Sequence, residues 1–336
     1  MVRGERTAVV TRVAAPAPPA PPPGAAAPTD DLPPRRRRSR AARRETWAAY
    51  GFLSPWIIGF VGLTVGPMLA SLVLSFTDSN LLDASATRWV GADNYREALI
   101  DDRLVVQSLK VTTYYATLAV VLDLVVGLLL ALLLNAGFRA IGAIRTVYYL
   151  PAAVSGVAVS LLWLYIFQPS GGLANGLLQL LRLPAIDWVY STTWVIPAFV
   201  LMSLWGVGRS AFIYLAILQR IPTNLYEAAA VDGAGALTRF RRITLPLVTP
   251  AIFLNLVLGI IGNFQTFTQA FVISEGGPAN ASLFYTLYLY RNAFRYFRVG
   301  YASALAWILF ALLLTLTLVA FGTSRRWVYY EAEDAR

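Results

Sequence analysis

The stretch IPTNLYEAAAVDGAGALTRFRRITLPLVTP, Ile221 to Pro250, decides how the rest of the chain is read. It is polar and basic, and long apolar runs flank it on both sides. Pro222 opens it. Asn224 followed three residues later by Glu227 has the spacing of a capping box, in which each side chain satisfies the other's backbone N–H. Leu225 to Val231 supplies good helix formers, and Gly233 suits the left-handed position that closes a helix. A second helical turn is expected through Leu237, Phe240 and Ile243, with Pro246 as its stop. The expectation is therefore a short helix, a glycine corner and a second short helix.

Outward from this stretch the chain is strongly apolar. Of 336 residues, 57% are hydrophobic and 14% charged, against about 25% charged in an ordinary soluble domain. That composition predicts a polytopic membrane protein. There is no cysteine and no histidine. Their absence removes disulfides, thiolate chemistry, zinc sites and the side chain most used in acid–base catalysis. No metal or cofactor is expected. The net charge of +10 is almost wholly arginine, Lys110 being the only lysine. It sits on tails and loops, where it sets topology rather than marking a nucleic-acid partner.

Residues 1–46 read as a disordered Ala/Pro/Arg-rich cytoplasmic tail, with a basic run at Arg35 to Arg38, Arg40, Arg43 and Arg44 placed to touch membrane lipid. Six apolar runs follow, each long enough for the ~20 residues a bilayer needs. They are Trp47 to Phe76, broken by Pro55 and Pro67, then Leu104 to Leu134, and Val147 to Phe167, entered at Pro151. The last three are Thr192 to Leu218, Leu247 to Ile273 and Tyr301 to Phe321. Backbone polar groups in lipid must be satisfied internally, so these runs are expected as helices. The organisation is a six-span domain at 47–323 with a loop at 219–246, and a cytoplasmic tail at 324–336. With both termini inside, nineteen basic residues fall on the inner side and eight on the outer, as the positive-inside rule requires. The loop at 219–246 then lies in the cytoplasm. Arg291, Arg295 and Arg298, spaced among Tyr288, Phe294 and Phe297, suggest an amphipathic helix on the outer surface.

Glu227-Ala228-Ala229, Asp232-Gly233-Ala234, Phe240, Ile243 and Leu245-Pro246-Leu247 together resemble the EAA loop of binding-protein-dependent ABC importer permeases. Tyr149-Leu150-Pro151 with Trp163 resembles that family's third span. Gly276-Gly277-Pro278, Tyr290-Arg291 with Phe294, and Gly300 to Ala304 resemble its carbohydrate-importing branch, the maltose and glycerol-3-phosphate type. The resemblance covers roughly Trp47 to Phe321. One position, often Asn in such permeases, is Val111 here.

The resemblance implies an all-α polytopic fold of six transmembrane helices with a cytoplasmic coupling helix, and a permease subunit of the plasma membrane. It also implies its partners: two copies of an ABC ATPase, a second homologous permease, and an extracellular solute-binding protein that delivers a sugar-like solute. ATPase coupling falls on Tyr226, Glu227, Ala228, Ala229, Asp232, Gly233 and Arg239. The chain lacks G-x-x-x-x-G-K-[ST], the loop that cradles nucleotide phosphates, so ATP hydrolysis is expected on separate subunits and not here.

Polar residues inside spans are costly and mark pathways. Asp123 and Arg209 fall at matching depths and are expected to pair or to meet solute. In the maltose-type permeases, sugar contacts lie on the fifth span and on the span before the EAA loop. Carried onto this chain, they fall on Gly206, Arg209, Asn263 and Thr266. Gln265 adds an amide and Trp205, Phe264 and Phe267 an aromatic face. Two rival classes stand beside the importer permease. An ion-coupled secondary transporter needs intramembrane coupling residues, for which Asp123 is the sole candidate. An intramembrane enzyme lacks the histidine, cysteine and paired carboxylates it would use.

Overall fold

The computed structural model describes residues 40–83, 85, 87–136, 142, 146–148, 150, 151 and 154–329, with side chains from residue 47 onward. Most of the basic tail, Arg139, Arg145, Tyr149 and Arg336 lie outside the described residues. Contacts divide the chain into two units, Met1–Thr64 and Val65–Arg336.

In the first unit α1 (Arg40–Phe60) runs through Pro55. A π-helical stretch, Val61–Val65, follows. In the second unit α2 (Gly66–Leu74) carries Pro67 in its first turn. The sequence predicts breaks in the first span at both prolines; instead helix runs unbroken from Trp47 to Leu74. Proline is tolerated in a first turn because its missing N–H has no intrahelical partner there.

The long helix α3 (Arg103–Asn135) is capped by Asp102, whose carboxylate accepts from the Leu104 N–H at 2.9 Å. Next come α4 (Gly156–Ile166) and α5 (Leu173–Leu180). The paired helices α6 (Val195–Leu204) and α7 (Gly208–Leu218) meet at a 41° bend. The loop helix α8 (Thr223–Val231) precedes α9 (Leu245–Phe264). The chain then forms α10 (Tyr285–Tyr290) and the final span α11 (Val299–Ser324).

Four helical runs are long and apolar enough to cross a membrane: Trp47–Leu74, Arg103–Asn135, Ala236–Phe264 and Val299–Ser324. The bent pair α6–α7 makes a fifth. The expected third span is interrupted at Val154–Ser155, where Ser155 turns extended (ψ 136°), which leaves α4 only 11 residues long. The described residues therefore show four or five clear spans rather than six.

Two more expectations change. Pro246 does not end a helix. It sits in the first turn of α9, directly after the π-helical stretch Phe240–Thr244, and helix runs from Ala236 to Phe264. The wider turn absorbs the hydrogen bond that proline cannot donate. The segment around Arg291 and Arg295 is helical, and one of its faces packs into the core while Phe294, Arg295 and Tyr296 stay exposed. Tyr285, Leu287 and Tyr288 are buried in the core. The arginines are held by acids, Arg295 on Glu275 at 3.0 Å and Arg298 on Glu97 at 2.6 Å. Arg291 donates to the Glu275 carbonyl.

The core of the second unit falls into two apolar clusters. One is built from the first half of α3 (Val105 to Ala119), α6, α10 and α11. The other takes the last turns of α3 (Leu130 to Leu134), α7, and Val248 and Ala251 of α9. Between them on α3 lies Asp123, between them on the bent span lie Trp205 and Gly206, and between them on α9 lie Asn255 to Asn263. The polar residues of these three spans thus share one layer, bounded by apolar packing on either side.

Candidate functional site

The polar layer lines a half-open cavity of about 420 Å³. Asp123 on α3, Gly206 at the bend, Arg209 and Ser210 on α7, and Asn255, Gly259 and Asn263 on α9 line it. Gln269 reaches it from beyond α9, and Val159 and Met202 add apolar wall. Asn255, Gly259 and Asn263 recur every four residues and so share one face of α9.

Helix α7 begins and α9 ends at breaks in this layer. At Trp205, Gly206 and Val207 the N–H groups reach back only three residues, to Met202, Ser203 and Leu204. This tight turn bends the span. The fifth span stops at Gln265 (φ −94°, ψ 13°) and resumes past Phe267. Irregular backbone at membrane depth is tolerated where it lines a cavity or is buried in protein. Here the first break lines the cavity and the second is covered. Thr266 is buried, its N–H donates to the Asn263 carbonyl at 3.3 Å and its carbonyl accepts from the Thr286 hydroxyl.

Of the residues singled out from sequence, Gly206, Arg209 and Asn263 line the cavity. Trp205 lines a smaller neighbouring pocket of about 130 Å³ with Gly206 and Gln269, and packs edge-on against Trp163 at 5.8 Å. Gln265 is exposed at the break, and it and Thr266 line neither space. The expected aromatic face does not assemble. Phe264 is buried in the core and Phe267 stacks on Phe271 at 5.3 Å.

The expected Asp123–Arg209 ion pair does not form. Asp123 Oδ1 accepts from the Ser210 hydroxyl at 3.0 Å, and no ion pair to Arg209 lies within 4.0 Å among the described residues. Helices α3 and α7 approach closely here. A Cβ on Gly127 would stand 2.6 Å from Ser210 Oγ, so only glycine leaves room for the Asp123–Ser210 contact. Asn255 Nδ2 donates to the Ser210 carbonyl at 3.4 Å. Asn255, Ser210 and Gln269 were missing from the sequence-based site. Asn255 was legible as the next polar position on the Asn263 face. Ser210 had no signal, because its role depends on which helix faces it.

At the far end of α7 stands the loop. Helix α8 begins at Thr223, with Pro222 in extended conformation before it and no side-chain cap. The capping box of Asn224 and Glu227 therefore does not form: with Pro222 at the N-cap the helix starts two residues too early for Asn224 to cap it. The other end follows the sequence. Gly233 has φ +77°, its N–H donates to Ala230 at 3.1 Å, and the Ala234 N–H reaches the Ala229 carbonyl at 2.8 Å. This is a Schellman closure, with Asp232 as the C-cap. Glu227, Ala228 and Asp232 are exposed and Ala229 half-buried. Tyr226 is half-buried and its hydroxyl bonds Thr244 at 2.9 Å, tying α8 to the foot of the fifth span. Arg239 is half-buried, with its Nε unpartnered. Val231 is 88% exposed at the end of α8 and Leu237 69% exposed in the first turn of the helical run Ala236–Phe264, an apolar surface at the loop end.

Membrane-length helices with breaks around a polar cavity, and a capped helical loop at one end, define a polytopic membrane permease. The chain belongs to the family described as binding-protein-dependent transport system inner membrane component, which matches residues 123–328. The probable ABC transporter permease protein YesP of Bacillus subtilis (strain 168) is 44% identical over 299 residues, 88% of this chain and 96% of that one. The sulfoquinovosyl glycerol transport system permease protein SmoG of Agrobacterium fabrum is 33% identical over 268 residues, 80% and 87% of the two chains. The structure of a bacterial alginate ABC transporter in complex with alginate pentasaccharide-bound periplasmic protein contains a chain of the same fold. Its TM-score is 0.76 at 25% identity, covering 86% of this chain and 98% of that one. The chain is thus a permease subunit and not itself an enzyme. The secondary-transporter reading has no support in these likenesses.

Proposed function

We propose that this chain forms, with a second related permease, the path by which an ABC importer carries a sugar or sugar-like solute across the membrane. Gly206, Arg209 and Asn263 meet the solute in the cavity, and Trp205, Gln265 and Thr266 shape the breaks beside it. A solute-binding protein delivers the solute at the end away from the loop. Helix α8 docks on one of two ATPase subunits at the cytoplasmic end, both termini lying on that side. SmoG is named for a sugar glycoside and the solved relative for an alginate transporter, which supports the solute class.

One observation carries the coupling. The exposed α8 is joined, through Tyr226–Thr244 and the helical run Ala236–Phe264, to the span whose other end breaks beside the cavity. A helix is stiff along its axis, so displacement of α8 is delivered to that break. The Ala228–Ala230 face is small enough for close approach, and Glu227 and Arg239 offer charge to a partner. The test is co-purification of the ATPase with wild-type, Glu227→Ala and Gly233→Pro chains, alongside ATP-driven uptake in proteoliposomes. The expectation is loss of both ATPase and uptake with the permease still in the membrane. Retained uptake with no bound ATPase would return the secondary transporter to contention.

A further inference from the structure

Resting on the permease reading above, we propose that the cavity selects an anionic saccharide, one bearing a carboxylate or comparable acid group, and that Arg209 is the residue that reads its charge. The guanidinium belongs to the wall of the polar layer and is exposed to it. Its side chain makes no hydrogen bond and no ion pair within 4.0 Å among the described residues. A charge held at membrane depth is costly and is retained where a partner or water answers it. The one acid among the cavity's lining residues, Asp123, is near enough to feel the Arg209 charge, but its Oδ1 is bonded to the Ser210 hydroxyl and it makes no ion pair with Arg209 within 4.0 Å among the described residues.

The backbone adds to this. Arg209 lies in the first turn of α7, directly after the bend. Its N–H donates to the Gly206 carbonyl at 3.3 Å and the Ala211 N–H to that of Val207 at 3.0 Å, so the turn presents the helix dipole rather than free N–H groups. The positive end of a half-helix at membrane depth favours a negative group. The remaining polar wall suits a neutral polyol. Asn263 donates its Nδ2 to Gly259 at 2.9 Å, which leaves its Oδ1 toward the cavity as an acceptor for hydroxyls. Gln269 makes no side-chain hydrogen bond among the described residues and brings both a donor and an acceptor. The volume, about 420 Å³, is within the ~300–1,000 Å³ of small-molecule sites. Arg209 and Asp123 in one wall, neutral amides and a small apolar floor fit a sugar whose single acid group meets Arg209 and whose hydroxyls meet Asp123 and the amides. A bare inorganic anion would leave the amides unused.

The test uses the complete transporter in proteoliposomes, with matched pairs of uronate and neutral mono- and disaccharides of the same stereochemistry. The wild type is expected to take up the uronate member. Arg209→Gln should raise its KM by about tenfold to a hundredfold, the span of one charge-assisted hydrogen bond, and Arg209→Lys should recover part of the loss. Asp123→Asn should act in the opposite sense, lowering that KM by about two- to fivefold through relief of repulsion. Wild-type uptake of the neutral member at equal or better efficiency overturns the charge reading and leaves the permease reading intact. So does an Arg209→Gln variant whose yield of assembled complex falls while uptake per complex is unchanged, which would make Arg209 an assembly contact. Uptake of neither member overturns both readings. Retained uptake of neutral solute with loss confined to the acidic one supports the charge reading.

Discussion

At the end of the bundle away from the loop, Asp102 caps α3 and accepts from the hydroxyls of Tyr288 and Tyr301, the latter at 2.7 Å. Arg298 lies over the Tyr301 ring at 4.3 Å and pairs with Glu97. Asn94 bonds the Ser75 and Thr77 carbonyls at 2.9 and 2.7 Å. At the loop end, α8 is held by one side-chain bond, Tyr226 to Thr244, and turns apolar side chains outward. One end spends its polar groups on itself and holds the starts of α3, α10 and α11 together. The other leaves its surface unspent. Local stability tracks such contacts, so the first end is the fixed point against which the second can be moved.

Removing the fixed point should have the largest effect. Asp102→Ala takes away a helix cap and the acceptor of two tyrosine hydroxyls in one substitution. The expected cost is about 2–4 kcal/mol, summing a lost cap and unpaired half-buried donors, read as a lowered thermal midpoint of the detergent-solubilised protein. Asp102→Asn, which can still accept, should lose less than half of that. The same contacts predict a pH dependence. Burial, and then Asp102, push the Tyr288 phenol above its ordinary 10.0. A pKa raised on folding gives stability that is whole below the unfolded value and falls as pH climbs past it, so the midpoint should decline above about pH 10. Tyr288→Phe should flatten that decline. A midpoint unmoved by Asp102→Ala would mean that this end is not the anchor.

At the loop end the expected costs are smaller. Gly233→Ala forces a Cβ into φ +77°, in open space with nothing within 4 Å, so only backbone strain is paid, about 1–2 kcal/mol. The effect should be confined to α8, as faster amide exchange from Thr223 to Val231 with the global midpoint little changed. Tyr226→Phe removes one exposed-edge hydrogen bond, worth about 0.5–1.5 kcal/mol, and should loosen α8 from Thr244 while leaving the Schellman closure in place. If Tyr226→Phe instead lowered the global midpoint as much as Asp102→Ala does, the contrast between the ends would fail.

The two ends were not equally legible in the sequence. Gly233 was, because a left-handed residue after a run of helix formers has one favoured chemistry, and that chemistry is local. The long helices α3 and α11 were too, since apolar length alone dictates them. The breaks at Trp205–Val207 and Gln265–Phe267 were not. The first lies in an apolar window and the second in a run of polar residues that reads as a solute-facing stretch; the second is held by the Thr286 contact, twenty residues away from Thr266. The prolines misled for a related reason. Pro67 and Pro246 read as stops, but each follows a π-helical stretch that removes the bond it would break. The polar layer was half legible. Asn263, Gly206 and Arg209 declared themselves as polar or small residues within spans. The partner of Asp123 did not, because choosing Ser210 over its neighbour Arg209 depends on a helix approach fixed by Gly127.

The smallest stability effect is expected at the exposed apolar side chains of the loop end, and there the comparison is sharpest. Val231 and Leu237 touch little of their own protein, so Val231→Ser and Leu237→Ser should move the thermal midpoint by less than about 0.5 kcal/mol, as surface substitutions do. Exposed apolar side chains clustered at the loop end are retained where they are covered in an assembly. If α8 is the docking element, the double variant should fold and insert normally yet lose the co-purifying ATPase and ATP-driven uptake together. Asp102→Ala should show the reverse pattern, a lowered midpoint with the ATPase still bound to the folded fraction. A double variant that kept both ATPase and uptake would leave those apolar side chains without a partner and would move the coupling surface onto Glu227 and the small alanine face. Because stability and assembly are read separately, the two substitutions distinguish an end that holds the permease together from one that lets it be driven.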